Sequence, residues 1–181
     1  MKTKLIPSFF ALCLFTSLVA QKVAPTYKQI SYGPHKDMVL NFWKIESKEP
    51  APLLVHIHGG GWLGGKKHET TSPNQLKNGY SYASIDYRLA GTELLPAAVH
   101  DAARAIQFLR TKDKEWNFDP ERIAVTGGSA GAASSMWLAY HDDMADPKSK
   151  DPVLRQSSRV CGAVAMGGQT TLDPFLLEKK I

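Results

Sequence analysis

Apolar residues recur along this chain with two different periods. Met38, Leu40 and Phe42 alternate with Val39, Asn41 and Trp43, which predicts a strand over residues 38–45 on a pleated surface. Residues 27–32 read as a strand before it, with Gly33-Pro34-His35-Lys36-Asp37 as the turn. Leu53-Leu54-Val55-His56-Ile57-His58 is a short strand closed by three glycines, and residues 81–85 form another that ends at Asp86-Tyr87-Arg88-Leu89. Pro96 then opens a helix. Val99, Ala102, Ala103, Ile106 and Leu109 recur there at helical spacing, while Asp101, Arg104 and Arg110 fall elsewhere around it. Asn117-Phe118-Asp119-Pro120 breaks the chain, and residues 122–126 restart it as a strand. A helix of small residues runs from about Ala130 to His141, followed by a polar loop with Pro147 and Pro152 and a strand over residues 160–166. Strands alternating with helices predict right-handed crossovers. The fold class is therefore α/β, a mostly parallel sheet with helices on both faces.

The first residues stand apart from this pattern. Lys2 and Lys4 precede an uncharged run over 5–20 that centres on Phe9-Phe10-Ala11-Leu12-Cys13-Leu14-Phe15. A basic start, a short apolar region and a small Ala20 before polar Gln21-Lys22 predict a signal peptide over 1–20. The run is short for a bilayer span, and Leu12 is bulkier than lipid attachment at Cys13 would want. The expected product is a secreted or periplasmic domain over 21–181, without stable membrane insertion. The full 181-residue sequence is 43% hydrophobic and 22% charged, enough apolar residues to bury a sizeable core. Losing Lys2 and Lys4 from 22 basic residues leaves 20 against 17 acidic ones, scattered with no basic tract. That excludes a nucleic-acid partner. Cys13 leaves with the signal, so Cys161 has no disulfide partner and, in an apolar run, reads as a core residue.

The candidate chemistry sits in two glycine-rich stretches. Gly127-Gly128-Ser129-Ala130-Gly131 fits Gly-x-Ser-x-Gly between a predicted strand and a predicted helix, the context this motif requires. A serine on so sharp a turn occupies strained backbone, and side chains at Gly127 and Gly131 would collide with neighbouring elements. The turn lifts the hydroxyl above the sheet and aims the Ala130 amide, near a helix N-terminus, at the place where an oxyanion would form. His58-Gly59-Gly60-Gly61-Trp62 closes an earlier strand, and its glycines let backbone N–H groups approach a substrate carbonyl. Taken singly, each stretch also fits a flexible turn. A phosphate cradle would need Gly-x-x-x-x-Gly-Lys-Ser/Thr, which is absent. His56 and His58 share a strand face, yet no carboxylate or cysteine stands at ligand spacing, so no metal is expected. Trp62 either lines a pocket or packs under its loop, and Arg88 and Asp101 read as structural partners.

From Tyr32 to Pro174 the chain resembles an α/β-hydrolase of the esterase/lipase type, close to the hormone-sensitive-lipase-like and bacterial feruloyl/acetyl-esterase-like groups. The likeness rests on both glycine stretches, on Asp86-Tyr87-Arg88-Leu89, on Pro96-Ala97-Ala98-Val99-His100-Asp101 and on Asp119-Pro120-Glu121-Arg122-Ile123, in the family's order. It implies hydrolysis of a carboxylic ester through an acyl-enzyme, with no cofactor. Ser129 is then the nucleophile, the amides of Gly60, Gly61 and Ala130 form the oxyanion hole, and His58 supports the loop. The implied substrate is a small-molecule or carbohydrate ester. A lipase or peptidase of the same fold stays open, and so does a non-catalytic secreted binding domain with a degenerate hydrolase fold.

Serine hydrolysis needs a base and an acid to orient it, in the order Ser, Asp or Glu, His for this fold. After Ser129 the only histidine is His141. It lies twelve residues along the same predicted helix, about 18 Å away at the helical rise. Asp142, Asp143, Asp146 and Asp151 read as solvated loop charges, and no histidine follows Asp173. The chain is accordingly expected to be the N-terminal part of an esterase, incomplete at the C-terminus. As 181 residues it should be nearly inactive and weakly stable, with an exposed sheet edge.

Overall fold

The computed structural model describes residues 22–169. Its strands are β1 (Tyr27–Ser31), β2 (Val39–Trp43), β3 (Ala51–Ile57), β4 (Ser81–Ile85), β5 (Phe118–Gly128) and β6 (Gly162–Met166). They form one sheet in the order β1-β2-β4-β3-β5-β6. β1 and β2 pair antiparallel, as do β2 and β4, whereas β4, β3, β5 and β6 run parallel. The mostly parallel α/β sheet inferred from the sequence is therefore present. The helices are α1 (Pro73–Lys77), α2 (Ala97–Arg110), α3 (Asp113–Trp116) and α4 (Ala130–Tyr140).

Register decides what each face buries. Leu40, Phe42, Ala83, Ile85, Leu53, Val55, Ile57, Ile123 and Val125 align across four strands on one face, all in the core. Ala102, Ala103, Ile106 and Leu109 of α2 cover them. Full burial of each large apolar side chain contributes about 1.5–3 kcal/mol. The opposite face carries Asn41, Trp43, Tyr82, Ser84 and His56. Across it runs the segment containing His68, whose carbonyl accepts from Asn41 Nδ2 at 2.8 Å and whose N–H donates to Ser84 Oγ at 2.9 Å. That segment leads into α1, which packs beside β4. No helix among the described residues is long and apolar enough to cross a membrane.

Three features differ from the sequence reading. The short helices α1 and α3 appear without an apolar period, because four or five residues are too few to show one. The predicted break is Asn117 alone, left-handed at φ 56°, and the strand already begins at Phe118. The β3–β5 register shifts between the Ala51–Phe118 and Leu53–Ile123 pairs. Pro120, which has no N–H for a ladder, falls within that irregularity. Cys161 is exposed rather than buried in the core. It precedes β6, which pairs only with β5 among the described residues, and it is held by its N–H on the Ile123 carbonyl at 2.8 Å. The segment 1–20 and Asp173 lie outside the described residues.

Arg88 and Asp101 meet as expected. The Arg88 backbone N–H donates to Asp101 Oδ2 at 2.9 Å, and its guanidinium reaches the same carboxylate at 2.6 Å. Asp101 is buried, so the pair ties the chain after β4 to the first turns of α2. A buried carboxylate needs that partner.

Candidate active site

The Gly127–Gly131 turn is built as steric reasoning requires. Ser129 stands at φ 54° and ψ −119°, a left-handed backbone that costs a non-glycine residue about 1–3 kcal/mol. Its N–H donates to the Met166 carbonyl at 3.0 Å and its carbonyl accepts from Ala133 N–H at 3.0 Å, so β6 and α4 together hold the strained residue. A Cβ on Gly131 would stand 2.0 Å from the Ile57 carbonyl oxygen, so α4 packs its backbone directly on β3. Ser129 is exposed at the N-terminus of α4.

The second glycine stretch follows β3 and comes up against this turn. A Cβ on Gly59 would lie 2.7 Å from the Gly128 carbonyl oxygen and 3.5 Å from Ser129 Cβ. Gly60 has φ +109°, and a Cβ there would stand 2.3 Å from the Gly64 carbonyl oxygen, a place that only glycine fills without strain. The Leu63 and Gly64 amides fold back onto the Gly60 carbonyl at 3.0 and 3.1 Å. The amides of Gly60, Gly61 and Ala130 donate to no acceptor among the described residues. Trp62, on which the sequence left two readings, does both things. It is buried with Nε1 donating to Ser134 Oγ at 3.1 Å, and it also lines a groove beside α4.

His58 is turned away from Ser129. Its ring stacks on Tyr87 at 4.2 Å, and Nδ1 must carry the proton because it faces the Gly59 carbonyl at 2.8 Å. Nε2 lies 3.7 Å from Asp86 Oδ1. Burial holds this imidazole below its ordinary value, against the opposing pull of the Gly59 carbonyl and Asp86. Asp86 is the residue the sequence reading passed over. The same carboxylate accepts the Lys67 backbone N–H at 2.5 Å and pairs with Lys67 Nζ at 3.3 Å. Both arms of the glycine loop thus close on Asp86. Its place in Asp86-Tyr87-Arg88-Leu89 was the available signal.

His56 lies apart from this cluster, stacked on His68 at 4.1 Å with Nδ1 3.2 Å from Ser84 Oγ. Burial first, then the neighbouring His68 and His58, bring it down to about 4. The unfolded residue titrates near ~6.5. Only the unfolded chain takes up this proton as the pH falls between those values. The His56 contribution is therefore intact above ~6.5 and declines towards 4. Urea unfolding at pH 7 and pH 5 is expected to differ by about 1–2 kcal/mol from this residue. The difference should shrink in His56→Gln; an unchanged difference refutes the assignment. Among the described residues no group of three or more His, Cys, Asp or Glu is arranged to hold a metal ion.

A strained serine between a parallel strand and a helix, with a glycine loop from the neighbouring strand against it, defines an α/β-hydrolase. The chain belongs to the BD-FAE family, whose profile matches residues 42–175. It is 30% identical over 162 residues to the probable carboxylic ester hydrolase LipM of Mycobacterium tuberculosis, covering 82% of this chain and 37% of LipM. It is 31% identical over 168 residues to esterase LipQ of the same organism, covering 87% of this chain and 40% of LipQ. The chain thus spans about two fifths of the length of these relatives. Among solved structures, it resembles the acetyl ester-xyloside bifunctional hydrolase of Caldicellulosiruptor lactoaceticus, with a TM-score of 0.69, 30% identity, and coverage of 78% of this chain and 57% of that one.

Proposed function

We propose that this chain carries the nucleophile and oxyanion-binding part of an exported serine carboxylic-ester hydrolase. The observation that carries the reading is the strained, exposed Ser129 with the Gly59–Gly61 backbone against it. Ser129 Oγ attacks the ester carbonyl carbon, and the carbonyl electron pair moves onto oxygen. The free amides of Gly60, Gly61 and Ala130 receive that charge; one such donor can be worth about 3 kcal/mol. Collapse expels the alcohol and leaves an acyl-Ser129, which water hydrolyses. The hydroxyl proton needs a base that this sequence does not place beside Ser129, so the base and its acid are assigned to chain beyond it.

The substrate is a short-chain or carbohydrate ester. Resemblance to a solved hydrolase named for acetyl esters and xylosides supports this reading, together with the charge-free run after Lys2 and Lys4 that suits export. N-terminal sequencing of the mature protein should begin at Gln21; a chain retaining Met1 in the cell would refute export.

The catalytic assignment is tested in a chain extended to the relatives' length. A fluorophosphonate is expected to label it, and Ser129→Ala to abolish the label. Label that persists in Ser129→Ala removes the assignment, and no label in the parent supports a binding domain instead. In the same protein, soluble aryl esters of short acyl chains should be preferred. A preference for long chains at an oil–water interface would make it a lipase.

A further inference from the structure

Lys66 is exposed, whereas the side chain of the next lysine, Lys67, is only 3% exposed. Taking an ammonium out of water is costly unless it is paired, so its partners define its role. Lys67 Nζ lies 2.8 Å from Glu69 Oε1 and 3.3 Å from Asp86 Oδ2. Its backbone is fixed as well, by its own N–H on Asp86 Oδ1 and by the bonds of His68 to Asn41 and Ser84. Glu69 is half exposed and also pairs with Lys28 at 3.4 Å. Charges of alternating sign thus run inward through Lys28, Glu69, Lys67 and Asp86, and the row ends at His58.

The last step of that row is the informative one. His58 Nε2 stays 3.7 Å from Asp86 Oδ1, beyond hydrogen-bond length. With its Nδ1 proton on the Gly59 carbonyl, the neutral ring offers Asp86 only a lone pair. A protonated Nε2 would instead form a charge-assisted bond, closing that gap to about 2.8 Å and drawing the ring off Gly59. The ring cannot move alone, because a Cβ on Gly65 would stand 2.5 Å from Nδ1 and the loop closes over it there. The Gly59 carbonyl and the Gly60 N–H belong to one trans peptide and point in opposite directions. Whatever fixes the carbonyl therefore aims the Gly60 N–H.

We propose that Lys67 is a positioning residue for the oxyanion loop: its ammonium offsets Asp86, so His58 stays on the Gly59 carbonyl and the Gly60 N–H keeps its aim. The role rests on Ser129 being the nucleophile of an ester hydrolase. Burial of His58 acts in the same direction, holding the ring below its ordinary value, while Asp86 pulls it up. The other titratable groups around the ring are Tyr87, stacked on it, and His56 and His68, which feel its charge.

Nitrogen-15 NMR of the unaltered 181-residue chain is expected to show His58 as a neutral Nδ1–H ring at pH 7. An imidazolium or an Nε2–H ring there overturns the proposal. In Lys67→Met the His58 titration should rise by about one pH unit or more, because Asp86 is left uncompensated, and Lys67→Arg should restore it. A lysine that only fills space would leave the titration unmoved in Lys67→Met, and that result refutes the role. In a chain extended to the relatives' length, Lys67→Met should lower kcat by about 10²-fold, as for loss of one oxyanion donor, with KM little changed. If Lys67→Met does not fold, Lys67→Met combined with Asp86→Asn replaces it, since it buries neither charge. A kcat close to the parent's is expected there, because no carboxylate competes for the ring; a 10²-fold loss overturns the proposal. Failure of fluorophosphonate to label Ser129 would remove the hydrolase reading, whereas the His58 ring state tests the Lys67 contact whether or not the chain turns over.

Discussion

Gly131→Ala is expected to destabilise the protein by about 3 kcal/mol or more, the upper end of the cost of overpacking. The added methyl would sit 2.0 Å from the Ile57 carbonyl oxygen and 2.9 Å from that of His58. Both are backbone atoms at the end of a central strand, so neither can rotate away. α4 must lift from β3, and its movement would drag Ser129, whose backbone α4 and Met166 hold in a strained conformation. Intrinsic helix propensity pulls the other way, since alanine is favoured over glycine by about 1 kcal/mol in a helix. The clash has to exceed that gain. Gly64→Ala is the control, because a Cβ there meets nothing within 4 Å and its φ is not positive. It is expected to stay within about 0.5 kcal/mol of the parent. Urea midpoints measured side by side decide the matter; equal midpoints for the two variants would show that α4 does not sit on β3 in this way.

The 181-residue chain is expected to hydrolyse aryl acetates far more slowly than an esterase with a complete triad. A serine site without its base retains only about 10³–10⁴-fold over water. All six histidines lie among the described residues, and each is engaged away from Ser129. His35 accepts from the Asp37 amide in the β1–β2 turn. His58 faces Asp86 and Tyr87. His56 and His68 stack on the face of the sheet opposite α2. His100 and His141 pack on Trp137, and His141 caps the far end of α4, about 16 Å from its start. The proposed nucleophile is left as an ordinary alcohol. Steady-state assay of the purified chain tests this; turnover at rates typical of esterases would mean that one of these histidines moves to Ser129.

Much of the core was legible because its cause is local. Leu53, Val55 and Ile57 alternate with Leu54 and His56, and β3 buries the first three and leaves the others half-buried. Val99, Ala102, Ile106 and Leu109 share one side of α2 for the same kind of reason. The turn at Ser129 was legible too, since glycines on both sides of a serine betray a lack of space. Cys161 was misread because an apolar run marks a strand without saying what covers it, and among the described residues β6 pairs on one side only. The Asp86 clamp was hidden for a related reason. His58, Lys67 and Asp86 are far apart in sequence, and only the parallel pairing of β3 with β4 brings their ends together.

By itself the sequence determined the α/β order of elements, the buried side of α2, and the two turns where only small residues fit. These follow from side-chain periodicity and backbone sterics, which act over a few residues. The tertiary structure decided the rest. It chose the order β1-β2-β4-β3-β5-β6, set the Gly59–Gly61 backbone against Ser129 and engaged the described histidines with other partners. Those outcomes depend on which distant segments share the sheet, and a strand's apolar pattern is satisfied equally well by more than one neighbour.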